Sequence, residues 1–169
     1  PPPRLRRFHS APRQQRKKAN PIEAASARVD QRVQRTPTEE EIAKDLKLSL
    51  EEYREWLVDV RGVNLGSFEL ASPDEESRDL LQYISDGEEN WPSVVVERAE
   101  LERLLAEAIR KMPYIERTIL SLYYHEELTL REAAKVVKLH ESRVSQLKSQ
   151  AILRLRSYMR KRWPTPRGR

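Results

Sequence analysis

The spacing of apolar residues between Thr129 and Arg156 predicts two helices separated by a tight turn. The first helix has an apolar face at i, i+3, i+4 and i+7, formed by Leu130, Ala133, Ala134 and Val137. The apolar pattern breaks at residues 138–140, where Leu139 is expected to fill the inside of the turn. The second helix begins at Glu141 or Ser142, and its buried stripe consists of Val144, Leu147, Ala151 and Leu155. This arrangement is typical of a helix-turn-helix.

The face of the second helix opposite this stripe is polar. It consists of Ser142, Arg143, Ser145, Gln146, Ser149 and Gln150. Hydroxyl, amide and guanidinium groups on an exposed helix are those that read base edges in the major groove of DNA. The same pattern also fits an ordinary helical hairpin with a solvated outer face, because many helix pairs share it.

Three helix-start signals precede this motif and predict a compact three-helix unit over residues 20–60. An N-cap, a first-turn proline and a capping-box glutamate stand in order at Asn20, Pro21 and Glu23. The helix that they start is expected to run to about Val33. The alternative is that it extends back through QQRKK, with disorder expected up to about Arg13. Two further capping boxes are predicted by the pairs Thr38–Glu41 and Ser49–Glu52.

The remaining segments complete an all-α fold, because none shows the alternating pattern of a strand. Residues 61–91 are acidic and contain three of the four glycines, which favours a linker. Helices are expected from Pro92 to about Met112 and from Tyr114 to Tyr124. The predicted fold class is two small helical domains, the second a helix-turn-helix, joined by an acidic linker. The predicted divisions are a basic, partly disordered leading segment (1–19), a three-helix domain (20–60), the linker (61–91), a helix-turn-helix domain (92–160) and a basic tail (161–169).

Charge is segregated along the chain, whose net charge is +5. Residues 1–35 contain 10 Lys and Arg against 2 Asp and Glu, residues 36–109 contain 7 against 20, and residues 110–169 contain 15 against 5. Two basic ends favour contact with nucleic acid, whereas the acidic middle would be repelled by it. Solvated surface charge is the alternative, although random scatter would seldom separate the signs in this way.

The composition excludes several classes of function. The chain has no cysteine, and its three histidines lie in different segments, so neither a disulfide framework nor a zinc site is predicted. None of the four glycines lies in a phosphate-binding loop, and no catalytic constellation is present. We therefore expect no enzymatic activity, no metal and no cofactor. No apolar run reaches the roughly 18 residues that a membrane span needs, so we expect a soluble, cytoplasmic protein without a membrane partner.

Several stretches together resemble a known family. The motif LREAAKVVKLHESRVSQLKSQAILRLR, preceded by KMPYIERTILSLYYHEELT, resembles the promoter-reading fourth region of bacterial RNA polymerase sigma factors. RTPTEEEIAKDLKLSLEEYREWL is similar to the third region of flagellar and sporulation-type alternative sigma factors, and PRQQRKKANPIEAA resembles the basic segment leading into it. The resemblance covers about residues 5–160 and implies a factor that directs RNA polymerase to promoters in transcription initiation. The implied partners are promoter DNA, core RNA polymerase and an anti-sigma factor.

The resemblance also implies roles for individual residues. The second helix of the helix-turn-helix would read base edges of the −35 promoter element with Glu141, Ser142, Arg143, Ser145, Gln146 and Ser149. Contacts to DNA phosphates would come from Thr129, Arg131, Lys135 and Lys148, and near the −10 element from Arg13, Arg16 and Lys17. The helices over residues 92–124 would bind the polymerase flap, and the acidic linker would thread toward the active-site cleft.

The chain departs from the family pattern in two places. Lys138 stands where the turn usually has a glycine, because one residue there adopts a left-handed backbone. The family's second region, which opens the −10 element, has no counterpart, so we expect the chain to be the C-terminal part of a sigma factor. Two other functions remain open. One is a stand-alone helix-turn-helix regulator that binds a palindromic site without polymerase, and the other is a helical protein-interaction module.

Overall fold

The computed structural model of the protein describes residues 13–61 and 92–162, and within them the side chains of residues 17–61 and 99–162. All regular structure in these ranges is helical, which confirms the predicted fold class. The N-terminal unit consists of α1 (Arg13–Val33), α2 (Glu39–Asp45) and α3 (Leu50–Asp59). The C-terminal unit consists of α4 (Pro92–Lys111), α5 (Tyr114–Leu120), α6 (Leu130–Val137) and α7 (Glu141–Arg162).

The first helix begins earlier than its predicted cap. Because α1 starts at Arg13 and contains Pro21 in its interior, the predicted N-cap at Asn20 is wrong, and the alternative extension of the helix back through QQRKK is confirmed. A proline inside a helix removes one backbone hydrogen bond and costs roughly 3 kcal/mol. Ala19 and Ile22, on either side of it, are both buried in the core, and their burial favours the continuous helix.

The starts of α2 and α3 confirm the two predicted capping boxes. Thr38 Oγ1 accepts a hydrogen bond from the Glu41 N–H, and the Glu41 carboxylate accepts one from the Thr38 N–H at 2.9 Å. Ser49 and Glu52 repeat this geometry at the start of α3. Each box satisfies two backbone N–H groups that the helix leaves free, and such a cap typically stabilises a helix by about 1 kcal/mol. The first box also fixes the position of Glu39 in the opening turn of α2.

The two units share one hydrophobic core, and α7 lies at its centre. This helix packs against α1 and α3 of the N-terminal unit and against α4, α5 and α6 of its own unit. The fully buried side chains come from both units and include Ile22, Tyr53, Leu57, Leu101 and Ile152. The helix predicted to read DNA is therefore also the element that joins the two units.

Some predicted features fall on residues that the structure does not describe. These are the first twelve residues, the predicted linker apart from Arg61, and residues 163–169. Within the described ranges, no helix combines the length and apolar character needed to cross a bilayer. The same ranges contain no group of three or more His, Asp or Glu side chains placed to hold a metal ion.

Candidate nucleic-acid interface

The helices α6 and α7 meet at the predicted turn and enclose a small core of their own. Its buried members are Ile119 from α5, with Ala133, Ala134, Val144 and Leu147. The predicted buried stripe of α7 is confirmed over its whole length, since Val144, Leu147, Ala151 and Leu155 are at most 5% exposed. Thr129 caps α6: its hydroxyl accepts from the Glu132 N–H at 3.2 Å and donates to Glu132 Oε2 at 2.9 Å. This core gives the two helices the fixed geometry of a helix-turn-helix.

The turn between these helices depends on a left-handed lysine. Lys138 has φ 57° and ψ 42°, the backbone conformation for which the family pattern has a glycine. This conformation costs a residue with a side chain roughly 1 kcal/mol. The turn closes with a hydrogen bond from the Leu139 N–H to the Ala134 carbonyl at 3.1 Å. Leu139 itself is 38% exposed, so its predicted position inside the turn is wrong; Val137 packs against the core instead.

Several of the predicted DNA contacts are exposed at this corner. They are Thr129, Arg131 and Lys135 around α6, and Glu141 and Ser142 at the start of α7. Arg131 and Lys135 are four residues apart and so lie on one face of α6. Lys17 is exposed on α1, whereas the side chains of Arg13 and Arg16 lie outside the described residues.

A carboxylate of the N-terminal unit binds Arg143 of α7 with the geometry that a DNA base or phosphate would use. Arg143 is half-buried, and its Nη1 and Nη2 lie 3.0 and 3.1 Å from Glu39 Oε1 and Oε2. Arg143 Nη1 also donates to Gln146 Oε1 at 3.2 Å, and Arg54 Nε donates to Glu39 Oε2 at 3.1 Å. A guanidinium that binds two oxygens in this way has the geometry that it would use on guanine O6 and N7 or on a phosphate. Glu39 therefore occupies the groups with which Arg143 would read DNA.

Acidic side chains of α3 flank the same face of α7. A shallow depression is lined by Gln146 together with Glu51, Arg54, Glu55, Val58 and Asp59 of α3. Three carboxylates in this depression place negative charge beside the polar face of α7, as the phosphates of a DNA strand would. Gln146 and Ser145 are half-buried by this arrangement.

The polar face of α7 is not exposed along its whole length. The expected outward positions of Ser149 and Gln150 are wrong for this structure, since they are 5% and 0% exposed. Gln150 Oε1 accepts a hydrogen bond from the hydroxyl of Tyr53, a fully buried residue of α3. The amide oxygen of this α7 side chain is thus satisfied by a partner from the other unit rather than by water, whereas its buried Nε2 has no acceptor among the described residues.

Lys148 lies inside the C-terminal unit. Its Nζ is 4.0 Å from the centre of the Tyr123 ring, and the residue is only 6% exposed. Burial lowers the pKa of this lysine below its ordinary value. The structure therefore does not place Lys148 where a DNA phosphate could reach it, because its ammonium group faces an aromatic ring of the π-helical turn Ser121–His125.

A buried ion pair joins α7 to α5. Arg154 Nε lies 2.9 and 3.2 Å from the two carboxylate oxygens of Glu116 on α5, and both residues are less than 10% exposed. Burial raises the pKa of Glu116 to about 7, and the opposing effect of the Arg154 charge is smaller. This carboxyl group therefore titrates near neutral pH, inside the shared core.

A second carboxylate of the N-terminal unit binds the other end of α7. Arg156 Nε and Arg160 Nη1 each lie 2.7 Å from an oxygen of Glu23, which is 3% exposed. Ser157 Oγ donates to the Glu23 carbonyl at 3.2 Å. Burial raises the pKa of Glu23, with the two arginines opposing it. Glu23 and Glu39 thus hold α7 against the N-terminal unit at two places along its length.

Sequence reasoning missed both of these carboxylates. Glu39 and Arg143 are 104 residues apart, and no local spacing connects them. For Glu39 the charge segregation was the available signal, because it sets an acidic block that contains α2 and α3 against a basic block that contains α7; Glu23 lies in the basic first block, so the segregation does not point to it. That segregation indicates intramolecular attraction as readily as repulsion from DNA.

Comparison with known proteins gives matches over both units. Residues 108–157 match the family described as Sigma-70, region 4, and residues 17–91 match Sigma-70 region 3. RNA polymerase sigma factor FliA of Yersinia enterocolitica is 39% identical over 154 residues, which are 90% of this chain and 66% of that protein. The protein of the same name from Escherichia coli strain K12 is 35% identical over 158 residues, which are 93% of this chain and 65% of that protein.

A solved structure, the cocrystal structure of the flagellar sigma/anti-sigma complex Sigma-28/FlgM, also matches. Its identity is 30% and its TM-score 0.48, with 90% of this chain and 62% of that chain covered. The chain therefore spans just under two thirds of the length of the relatives that it matches.

Proposed function

The chain belongs to the bacterial sigma-70 family, of which it carries regions three and four, and on this premise we propose that it directs RNA polymerase to promoters in transcription initiation. In this proposal α7 reads the −35 element through Glu141, Ser142, Arg143, Ser145 and Gln146, whereas Ser149 is left out because it is 5% exposed. Phosphates are held by Thr129, Arg131 and Lys135 at α6 and by Arg13, Arg16 and Lys17 on α1. Lys148 is left out of this set, because its ammonium lies over Tyr123.

The observation that supports DNA reading most strongly is the corner at Lys138. The left-handed backbone there turns the chain so that α7 begins at an exposed, polar end. Side chains near the start of the second helix are those that reach base edges when such a motif docks in the major groove. Exposed Arg131 and Lys135 on α6 provide cations for the adjacent phosphates.

While the two units are packed together, Arg143 is not available to a base. Its two guanidinium nitrogens are held by Glu39, and Gln146 lies against the acidic side of α3. We therefore propose that the units separate, at least around Glu39, before α7 reads DNA. The contacts with core polymerase would compensate for the loss of these ion pairs.

The proposed partners are core RNA polymerase and promoter DNA, and the anti-sigma factor stays a prediction. Binding rather than catalysis is the proposed activity, and the cytoplasm is the proposed location because the polymerase acts there. Retention of core RNA polymerase by the immobilised chain tests the first partner. Failure to retain any core enzyme would contradict the proposal and leave the stand-alone regulator or the interaction module.

The decisive variant for DNA reading is Arg143→Ala. This change removes a proposed base contact, which lowers the affinity for DNA. It also removes the ion pair with Glu39, which makes separation of the units easier and raises that affinity, so the overall affinity combines two opposed effects. The ratio of affinities for intact and mutated −35 elements avoids this problem, because the cost of separating the units is common to both DNAs and cancels. A base contact is worth about 1–3 kcal/mol, so we expect the ratio to fall roughly fivefold or more.

The matched control is Arg110→Ala. Arg110 is exposed on α4 and has no ion pair within the described residues, so the net charge changes equally while the affinity ratio stays constant. If Arg143→Ala weakens binding to all sequences by the same factor, Arg143 contacts phosphate only. Tight polymerase-independent binding to a palindromic site would instead identify a stand-alone regulator.

A further inference from the structure

The side of α7 that faces the N-terminal unit carries a row of polar residues, which we call the polar stripe. Its members recur at steps of three, four and seven residues and therefore lie on one face of the helix: Arg143, Gln146, Gln150 and Ser157. Three of them bind the N-terminal unit directly, through Glu39, Tyr53 and the Glu23 carbonyl. Leu153 is the apolar residue of this face. The face therefore meets the N-terminal unit chiefly through hydrogen bonds and ion pairs.

The buried stripe of α7, by contrast, is apolar throughout. Its first half, Val144 and Leu147, packs into the small core that belongs to the C-terminal unit alone. Contacts between parts of a protein that separate are generally more polar than contacts that stay closed permanently. The polar stripe has the composition of the first kind, and the buried stripe that of the second.

Gln150 is the fully buried member of the polar stripe. It is 0% exposed, and its Oε1 accepts a hydrogen bond from the Tyr53 hydroxyl. Burial raises the pKa of this hydroxyl, so it keeps its proton and acts as the donor. The Nε2 of Gln150 is buried without an acceptor among the described residues. A buried donor without a partner has lost its hydrogen bonds to water without replacement, so a methionine of similar size would pack here at lower cost.

We propose that Gln150 sets how readily the two units separate, because water can satisfy its whole amide only when α7 leaves α3. While the units are packed together, Tyr53 satisfies the amide oxygen, and this hydrogen bond favours the closed arrangement. The unpaired Nε2 favours separation, and so keeps the closed arrangement from being permanent. Gln150 is a positioning residue in this role, since it acts through the packing of α7 and needs no contact with DNA.

The consequence for DNA rests on the proposed function. In that function Arg143 reads a base only after it has left Glu39. A variant that closes more tightly should therefore bind −35 DNA more weakly by the same factor, as long as the closed arrangement predominates. The separation itself does not depend on DNA and is measured without it.

Thiol labelling of the full chain measures the separation, because the chain has no cysteine of its own. Ser157→Cys places a thiol where α7 contacts Glu23 of α1, and Ala133→Cys places one in the small core of the helix-turn-helix. The rate of reaction with a small disulfide reagent reports how often each position opens. We expect the Ser157→Cys thiol to react faster, because separation of the units leaves the small core closed. Equal rates would mean that unfolding of the whole chain exposes both thiols, and would overturn the proposal.

Two changes made in the Ser157→Cys chain should move the labelling rate in opposite directions. Tyr53→Phe leaves the whole Gln150 amide unpaired and should raise the rate about fivefold or more. Tyr53→Phe together with Gln150→Met removes both polar groups with little change in volume. This double variant should label about fivefold or more slowly than the chain with the Tyr53–Gln150 pair intact. An unchanged or higher rate in the double variant would overturn the proposal.

The matched control is Tyr114→Phe together with Gln31→Met. Both residues are exposed, so the same chemical change should leave the labelling rate unaltered. An equal decrease in the control would assign the effect to added apolar surface and would also overturn the proposal. If the labelling rates change as expected but the affinity for −35 DNA does not follow them, the role of Gln150 is supported and the separation step of the proposed function is contradicted.

Discussion

The two ends of α7 lie in different surroundings. Its first two turns pack through Val144 and Leu147 into the small core of the helix-turn-helix, which is made entirely by the C-terminal unit. Its later turns, with Ile152 and Met159, lie in the large core that both units build together. One end of the helix is therefore built locally, whereas the other is built by residues far away in the sequence.

This difference separates two tasks within a single helix. The local core sets the angle of the end that is proposed to read DNA, and this core contains no residue of the N-terminal unit. The shared core and the ion pairs to Glu23 and Glu39 determine how far that end is covered. Changes in the shared core should therefore alter access to DNA, and changes in the local core should alter the geometry of reading.

Leu57→Ala should have the largest effect and would break the shared core. Leu57 is fully buried in the N-terminal unit, and removing its side chain is expected to cost about 2–5 kcal/mol. If the cores are truly shared, native-state hydrogen exchange will show loss of protection in α3 and in the later turns of α7 together. Protection of α7 that stays at its original level would mean that the units fold independently.

The titration of Glu116 allows the contribution of the shared core to stability to be tested by changing the pH. Its folded pKa of about 7 exceeds the ordinary 4.5, so the stability that it contributes is fully present below about pH 4.5 and is lost as pH rises to about 7. A shift of this size corresponds to at most about 3 kcal/mol. Denaturant unfolding at pH 5 and at pH 7.5 measures the loss.

The control for this prediction is Glu116→Gln. That variant has no carboxyl group to titrate, and its stability should change less between the two pH values than that of the unaltered chain. The remaining change would come from Glu23, whose pKa burial also raises. An unaltered pH dependence in Glu116→Gln would show that this carboxyl does not titrate in the range.

Glu39→Gln should uncover the reading end of α7. The pair with Arg143 is partly exposed, so its loss is expected to shift the free energy by about 1 kcal/mol, or roughly fivefold in affinity for −35 DNA. Glu40→Gln is the matched control, because Glu40 is exposed in the same first turn and loses the same favourable interaction with the helix dipole. Equal gains in both variants would assign the effect to net charge alone.

Lys138→Gly should have the smallest effect and concerns the local core only. It relieves a left-handed backbone but increases the entropy of the unfolded chain, so we expect a net stabilisation below about 1 kcal/mol. Lys135→Gly, one turn earlier in right-handed α6, should instead destabilise by about 1 kcal/mol. Thermal unfolding of the two variants checks the opposite signs; a destabilised Lys138→Gly would mean that its side chain holds the turn.

Local features of this molecule could be predicted from sequence, and distant ones could not. The capping boxes at Thr38 and Ser49 depend on residues three apart, and the buried stripe of α7 depends on helical periodicity. Periodicity identifies a polar face but not what covers it, so Gln150 was expected outside and lies against Tyr53. The helix start predicted at Asn20 and Pro21 is wrong for a similar reason. Burial of the residues on both sides of Pro21, which a local pattern does not reveal, favours a continuous helix over a start at the proline.

The internal ion pairs of α7 also affect how DNA binding depends on ionic strength. Binding to DNA weakens as salt rises, because each neutralised phosphate releases condensed counterions, and the slope is commonly used to count contacts. Salt also screens the partly exposed pair of Arg143 with Glu39, which competes with DNA for the same guanidinium. The two effects oppose each other. A count of phosphate contacts taken from the slope would therefore come out lower than the number that α6 and α7 would make on the proposed function.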